Sequence, residues 1–214
     1  MRIVRTYSFY ILMSPPVDHT GLIPIFNERN GFNGTIYASK PTIEITKELL
    51  KDCCFIHKKN IEYLTVYAFS TENWKRSAEE VSGIMKLLGI YLTEALRDME
   101  KNHVRFRFFG DLSRLSPPLQ KLCNDAQNRS KEYDVQVNFC LNYGGRDEMV
   151  RAMRAMTKDI IKNGTDPDTI DEEMFATYLD TKGAPDPDLI IRTSGEKRIS
   201  NFLLWQSAYA EFDF

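Results

Sequence analysis

Residues 70–76 bring together side chains that could bind a charged ligand and move a proton. The sequence there is STENWKR, which supplies hydroxyls, a carboxylate, an amide, an indole and two cations. This first cluster directly follows an apolar run at 61–69. A structural explanation is also available, because Ser70 or Thr71 could serve as the N-cap of a following helix. Both interpretations stay open on these residues alone.

A second cluster, NYGGRD at 142–147, follows another apolar run. Its paired glycines, Gly144 and Gly145, would let the backbone approach a ligand closely or turn tightly into a helix. The pattern favours the turn. Asp147 and Glu148 would then lie in the first turn of that helix, where their negative charge complements the helix dipole.

The third cluster, RTSGEKRISNF at 192–202, places Arg192 and Arg198 on either side of a glycine turn, with hydroxyl side chains near them. Guanidinium groups bind phosphate oxygens through paired, charge-assisted hydrogen bonds. The cluster therefore suits a diphosphate, and a solvated charged loop is the alternative.

Glu211 stands among apolar and aromatic residues in the segment WQSAYAEF at 205–212. A carboxylate in such surroundings is costly unless it is paired or bound to a metal. Mg²⁺ prefers oxygen ligands and commonly accompanies phosphate groups. We therefore expect Glu211 to be a magnesium ligand.

The elements that position these clusters alternate along the chain. Their hydrophobic periodicity predicts helices at 43–58, 78–100, 118–133, 147–163 and 171–179, and strands at 61–69, 104–109, 135–141 and 188–192. Such alternation predicts an α/β fold with a mostly parallel central sheet and helices on both faces. Ligands of these folds lie beyond the carboxyl ends of the strands, where the three clusters fall. The chain before residue 43 is predicted to be irregular.

The composition limits the classes of protein that fit. A chain of 214 residues favours one domain, and a formal net charge of -2 gives no basic surface for nucleic acid. No G-x-G-x-x-G or Walker-type motif supports a nucleotide-binding module. Cys53, Cys54, Cys123 and Cys140 lack C-x-x-C spacing, which favours buried, reduced thiols. The apolar run near residue 10 is far shorter than the ~20 residues of a membrane span, so we expect a cytoplasmic protein.

The three clusters carry a resemblance to a known family. The strings YAFSTENWKR at 67–76, LNYGGRDE at 141–148 and DLIIRTSGEKRISNFLLWQ at 188–206 resemble the signature motifs of bacterial undecaprenyl diphosphate synthases. These enzymes are also called isoprenyl transferases and are cis-prenyltransferases. The similarity runs from about residue 43 to residue 214.

The resemblance implies a Mg²⁺-assisted transferase that condenses isopentenyl diphosphate with an allylic diphosphate, such as farnesyl diphosphate, and forms a new cis double bond. It also implies a homodimer, a lipid product that can contact membrane, and an apolar tunnel lined by the helix at 78–100. Asn73 would help to remove the proton and Glu211 would bind the metal. The substrate-binding residues implied by the matching motifs are Ser70, Thr71, Glu72, Trp74, Arg76, Arg192, Arg198, Ile199 and Ser200.

The sequence departs from the family pattern before residue 43. The family carries an M-D-G-N-x-R-W loop there, whose aspartate binds Mg²⁺, but an ungapped count places Ile25 at that position. We therefore expect an atypical segment at 1–42 and a prenyltransferase domain at 43–214, truncated at its C-terminal end. Weak turnover is the corresponding expectation. The alternative is a non-catalytic homologue or partner subunit that retains the fold and the diphosphate site.

Overall fold

The computed structural model describes residues 7–12, 61–192 and 196–213. Its strands form one parallel sheet in the order β3-β4-β2-β1-β5-β6. The strands are β1 (Tyr7–Leu12), β2 (Ile61–Ser70), β3 (Val104–Phe109), β4 (Val135–Tyr143), β5 (Leu189–Arg192) and β6 (Glu211–Asp213). The helices are α1 (Ala78–Asn102), α2 (Pro117–Ser130), α3 (Gly145–Asn163) and α4 (Glu172–Ala176).

Local sequence explains where α1 begins and ends. Ser77 caps α1 by accepting a hydrogen bond from the Glu80 backbone N–H, and the Glu80 carboxylate accepts one from the Ser77 N–H in return. This reciprocal pair satisfies backbone donors that the first turn leaves unpaired. α1 ends at His103, whose φ of 52° is left-handed.

Alternate residues of the central strands pack into two cores. Leu64 and Val66 of β2 pack with α1 and α2 residues such as Leu92 and Cys123. Tyr67, from the same strand, packs in a second core with Phe202. Because successive strand residues point to opposite faces, the sheet is covered on both sides. The expected α/β fold with a parallel sheet is therefore confirmed.

Most predicted elements are confirmed, and their ends differ by a few residues. The strand predicted at 104–109 matches β3, and the helix predicted at 78–100 matches α1. The helix predicted at 171–179 is shorter, since α4 spans Glu172–Ala176. The helix predicted at 43–58, with Cys53 and Cys54, lies outside the described residues. Cys123 and Cys140 are buried free thiols, as expected.

The expectation that the chain before residue 43 is irregular was wrong at Tyr7–Leu12. This segment forms β1, which pairs with both β2 and β5. Its sequence, YSFYIL, is rich in aromatic and branched residues that favour strands. A run this short has no periodicity that separates strand from irregular chain, which is why the pattern missed it.

Candidate active site

The first cluster begins where β2 ends. Ser70 is the N-cap of the short 3-10 turn Thr71–Lys75, as the structural interpretation predicted. Its backbone N–H donates a 2.8 Å hydrogen bond to the Asn73 Oδ1, and the Thr71 hydroxyl donates to the Glu72 Oε2 at 3.1 Å. The turn therefore fixes the orientation of the Asn73 amide and the Glu72 carboxylate.

Trp74 ties this turn to the second cluster. Its indole N–H donates a 2.6 Å hydrogen bond to Oδ1 of Asn142, at the end of β4. The Asn142 amide also donates to the Asp111 carbonyl oxygen at 2.7 Å, and Asn142 has a left-handed φ of 47°. The Arg114 guanidinium lies 4.8 Å from the centre of the Trp74 ring, a cation–π distance.

Asn201 joins the third cluster to the other two. Its Nδ2 donates to the Glu72 Oε1 at 3.0 Å, and its Oδ1 accepts from the Arg146 backbone N–H at 2.9 Å. Its carbonyl oxygen accepts from the Gly145 N–H at 2.7 Å. Partial burial acts to raise the pKa of Glu72, but hydrogen bonds, including those from Asn201 and Thr71, lower it below its ordinary value.

The glycines of the second cluster leave room for this junction. A Cβ on Gly144 would lie 2.7 Å from the Asn201 Nδ2 and 2.7 Å from the Thr71 Oγ1. A Cβ on Gly145 would lie 2.8 Å from the Leu204 Cγ. All three distances are shorter than packed atoms allow, so the paired glycines permit close packing against Thr71, Asn201 and Leu204.

Arg192 is a buried cation with incomplete hydrogen bonding. It ends β5, its exposed fraction is 1%, and its Nη1 donates to the Ser200 Oγ at 2.8 Å and to the Arg198 carbonyl oxygen. Its Nε and Nη2 have no hydrogen-bond partner among residues 61–192 and 196–213. Burial and the nearby Arg198 charge lower the pKa of Arg192 from its ordinary value. Buried donors of this kind are suited to the oxygens of an anionic ligand.

The remaining predicted residues of the third cluster surround Arg192. Arg198 is exposed and pairs with Glu196 at 2.5 Å, while the Ile199 carbonyl oxygen accepts from the Phe202 N–H at 3.0 Å. Residues 193–195 lie outside the described part of the chain. At the other end of the first cluster, Arg76 lies 3.6 Å from Glu80.

Glu211 does not lie with the three clusters. It is exposed in β6 and pairs with Leu189, at the amino end of β5, whereas Arg192 ends that strand. At ~3.3 Å per residue, the two positions are about 10 Å apart along the sheet. The expectation of a carboxylate in apolar surroundings was wrong, because the neighbouring aromatic residues Tyr209 and Phe212 are themselves exposed.

The described residues do not form a metal site by themselves. They contain no group of three or more histidine, cysteine, aspartate or glutamate side chains that could hold an ion. The same part of the chain contains no helix that is both long and apolar enough to cross a membrane.

A buried network behind the second cluster was not predicted. The Glu148 carboxylate accepts from the Tyr143 hydroxyl at 2.6 Å, the Gln206 amide at 3.1 Å and the Asp180 backbone N–H at 2.9 Å. Burial raises the pKa of Glu148, and the hydrogen bond from Tyr143 opposes that shift. Asp180 in turn receives two hydrogen bonds from Arg151, at 2.7 and 2.8 Å. Glu148 lies in the first turn of α3, as expected, and it also joins β4 to the segment after the third cluster.

The sequence is similar to those of known proteins. The family model of undecaprenyl diphosphate synthases matches residues 34–214. An isoprenyl transferase of Clostridium tetani is 47% identical over 174 residues, which are 81% of this chain and 67% of the relative. That of Brucella suis is 43% identical over 157 residues, 73% of this chain and 62% of the relative. The chain thus spans about two thirds of the length of these relatives.

Two solved structures share the fold. The crystal structure of a probable undecaprenyl diphosphate synthase from Campylobacter jejuni has a TM-score of 0.72 and 32% identity, and the match covers 99% of this chain and 86% of the other. Lavandulyl diphosphate synthase from Lavandula x intermedia, in complex with dimethylallyl diphosphate, has a TM-score of 0.74 and 31% identity. That match covers 79% of this chain and 74% of the other.

Proposed function

The chain belongs to the undecaprenyl diphosphate synthase family of cis-prenyltransferases, and on that premise we propose that it condenses isopentenyl diphosphate with an allylic diphosphate. A carbon–carbon bond forms between the terminal methylene carbon of isopentenyl diphosphate and the first carbon of the allylic chain. Inorganic diphosphate leaves, a proton is lost, and a new cis double bond remains. Repetition of this step gives a cis-polyprenyl diphosphate of the undecaprenyl type.

The observation that carries the proposal is the buried Arg192, whose Nε and Nη2 have no hydrogen-bond partner within residues 7–12, 61–192 and 196–213. A buried charge is costly without a partner, and two diphosphate oxygens would supply acceptors for Nε and Nη2. Ser200, which already accepts from the Nη1, holds the guanidinium in place. Arg198 and Ile199 complete the loop that we assign to isopentenyl diphosphate.

We assign the first cluster to the reacting end of the substrates. The Ser70 N–H holds the Asn73 amide through its Oδ1, which supports a role in orienting the departing proton. A carboxamide is too weak a base to keep that proton, so Asn73 would guide it toward a stronger acceptor, such as a diphosphate oxygen. Thr71, Glu72 and Trp74 would line the same site.

Arg76 would supply positive charge at the far end of that turn. It lies two residues before the start of α1, 3.6 Å from Glu80. The helix α1 carries a long apolar face against the sheet, and we propose that it also lines the tunnel for the growing prenyl chain.

Magnesium belongs to the proposal only as a companion of the substrate. Mg²⁺ is usually held by one or two carboxylates together with phosphate oxygens and waters. Glu211 is the carboxylate that we propose for it, but its place beside Leu189 does not form a site with Arg192 within one chain. The side chains within residues 7–12, 61–192 and 196–213 therefore do not fit a resident ion.

The family also suggests the setting in which the enzyme works. We propose a cytoplasmic homodimer that uses farnesyl diphosphate as the allylic substrate and releases a lipid product toward a membrane. The bound dimethylallyl diphosphate of the lavandulyl diphosphate synthase is an allylic diphosphate, which supports this class of substrate.

Incubation of purified protein with farnesyl diphosphate, labelled isopentenyl diphosphate and Mg²⁺ tests the proposal. We expect labelled lipid that is extracted into organic solvent and grows by five-carbon units. Folded protein that binds isopentenyl diphosphate but makes no lipid would instead establish the non-catalytic homologue or partner subunit. Folded protein that does neither would overturn the proposed function.

A further inference from the structure

Asn201 makes three hydrogen bonds, each to a different part of the site. The amide Nδ2 donates to the Glu72 carboxylate at 3.0 Å, 129 residues away along the chain. The Oδ1 accepts from the Arg146 N–H, and the backbone carbonyl accepts from the Gly145 N–H, at 2.9 and 2.7 Å. One residue thus connects the turn after β2, the start of α3 and the loop after β5.

The backbone of this loop is held in an uncommon conformation. Ser200, Asn201 and Leu203 have left-handed φ angles of 48°, 64° and 46°. A non-glycine residue in this region costs about 1–3 kcal/mol unless its surroundings compensate. Asparagine tolerates the conformation better than most side chains. The hydrogen bonds of Asn201 therefore define where the loop sits.

Asn201 also directly follows Ser200, which accepts from the buried Arg192. A displacement of Asn201 toward or away from Glu72 would carry Ser200 with it. The diphosphate-binding loop and the turn that holds Asn73 are thereby linked through a single amide.

We propose that Asn201 is a positioning residue that holds the Glu72 turn and the Arg192–Ser200 loop in register, so that the two diphosphate substrates meet in a reactive geometry. This inference rests on the proposed function. Asn201 acts through Glu72 and Ser200 and does not itself touch the reacting atoms. A misplacement of about 1 Å in such a site can lower the rate 10²-fold.

The contact with Glu72 is exposed, so its contribution to folding is small. Exposed polar substitutions usually change the free energy of unfolding by less than about 0.5 kcal/mol. A role limited to stability would change the free energy of unfolding and leave kcat of the folded protein unchanged. A positioning role would lower kcat and leave the free energy of unfolding nearly unchanged.

The test uses Asn201→Asp, which keeps the shape and the acceptor for Arg146 but places a negative charge beside Glu72. We expect kcat/KM for isopentenyl diphosphate to fall by about 10–100-fold, mainly through kcat. In a Glu72→Gln background the glutamine amide can donate to the new carboxylate. Asn201→Asp should therefore lower kcat/KM several-fold less in that background than in the wild type. Asn201→Gly, which keeps the left-handed backbone and removes the side chain, should also lower kcat. Asn128→Asp, the same change on the exposed face of α2, is the control.

The outcomes separate this inference from the proposed function. Wild-type protein that makes polyprenyl product, with reduced turnover in Asn201→Asp and relief by Glu72→Gln, supports the positioning role. Two results would overturn the positioning role without affecting the proposed prenyltransferase activity. The first is unchanged kcat and kcat/KM in both folded Asn201 variants. The second is a double variant in which the fold-losses of the two single variants simply multiply. Wild-type protein that neither binds isopentenyl diphosphate nor makes product would overturn the function on which the inference rests.

Discussion

The indole N–H of Trp74 donates a 2.6 Å hydrogen bond to the side-chain oxygen of Asn142, and so fastens the turn after β2 to the end of β4. The Trp74 ring also meets Phe69 edge-on, with ring centres 5.1 Å apart. This contact joins two signature segments that lie 68 residues apart. Loss of the Trp74 indole N–H should therefore affect both the stability of the fold and the geometry of the site.

We expect Trp74→Phe to lower the free energy of unfolding by about 1–3 kcal/mol, because Asn142 would lose its donor in a partly buried place. Urea unfolding followed by circular dichroism measures the change. Trp205→Phe is the matched control, since Trp205 packs edge-on against Phe175 and the new ring preserves that contact. Equal losses in the two variants would show that ring size, and not the hydrogen bond, matters.

Replacing Arg192 by methionine should separate binding from stability. The buried guanidinium has two donors without partners among the described residues, and the cost of burying them offsets the hydrogen bonds that its Nη1 makes. We expect Arg192→Met to unfold at the same or a higher urea concentration. Calorimetry should show binding of isopentenyl diphosphate weakened by about 100-fold, as loss of a charge-assisted pair predicts.

The exposed Arg198 supplies the comparison for that experiment. Arg198→Met removes a cation paired with Glu196, so its effect on binding should be smaller. Tight binding by Arg192→Met would contradict the assignment of this residue to the diphosphate.

Gly144→Ala should damage the site although the backbone conformation permits it. Its φ of -163° is extended, yet the new Cβ would approach the Asn201 Nδ2 and the Thr71 Oγ1 to 2.7 Å. Overpacking of this kind costs about 1–3 kcal/mol, and we expect turnover to fall as Asn201 moves. Unfolding and steady-state assays measure the two effects.

Gly89→Ala is the opposite case. Gly89 lies within α1, and a Cβ there meets none of the described atoms within 4 Å. Alanine in a helix interior is favoured by roughly 0.5–1 kcal/mol over glycine, so this variant should be more stable. If Gly89→Ala lowered the free energy of unfolding as much as Gly144→Ala does, the steric explanation would be refuted.

Glu148 should make the stability depend on pH. Burial raises the pKa of this carboxyl above its value of 4.5 in model compounds. The folded state therefore binds a proton that the unfolded state has released, and stability is lost as pH rises from about 4.5 through the raised pKa. The glutamine in Glu148→Gln cannot titrate, so this residue adds no pH dependence in the variant. The free energy of unfolding of the variant minus that of the wild type should therefore increase with pH in this range. Urea unfolding from pH 4.5 upward measures the difference, and a constant difference would contradict the prediction.

The sequence was sufficient to place the clusters but not to connect them. Each cluster follows an apolar strand, and parallel strands end at one edge of a sheet, so a shared site could be predicted. The hydrogen bond between Glu72 and Asn201 could not be predicted, because nothing in the local pattern specifies which polar side chains meet across 129 residues.

The burial of Glu148 and the exposure of Glu211 have a common physical cause. Glu148 lies in the first turn of a helix, where an exposed acid is typical, yet Tyr143 and Gln206 enclose it. Glu211 has apolar neighbours in sequence but lies exposed on an edge strand. Sequence neighbours do not define burial at either position, because burial depends on residues distant along the chain.

The place of β1 in the sheet has a consequence for the order in which the fold assembles. β2, β4 and β3 can pair once residues 61–143 are available, whereas β1 joins β2 to β5, which the chain reaches only at Leu189–Arg192. Closing so long a loop is slow. During synthesis on the ribosome, the edge of β1 that faces β5 therefore stays unpaired until Leu189–Arg192 has been made, and an uncovered strand edge of this kind can bind chaperones or other nascent chains.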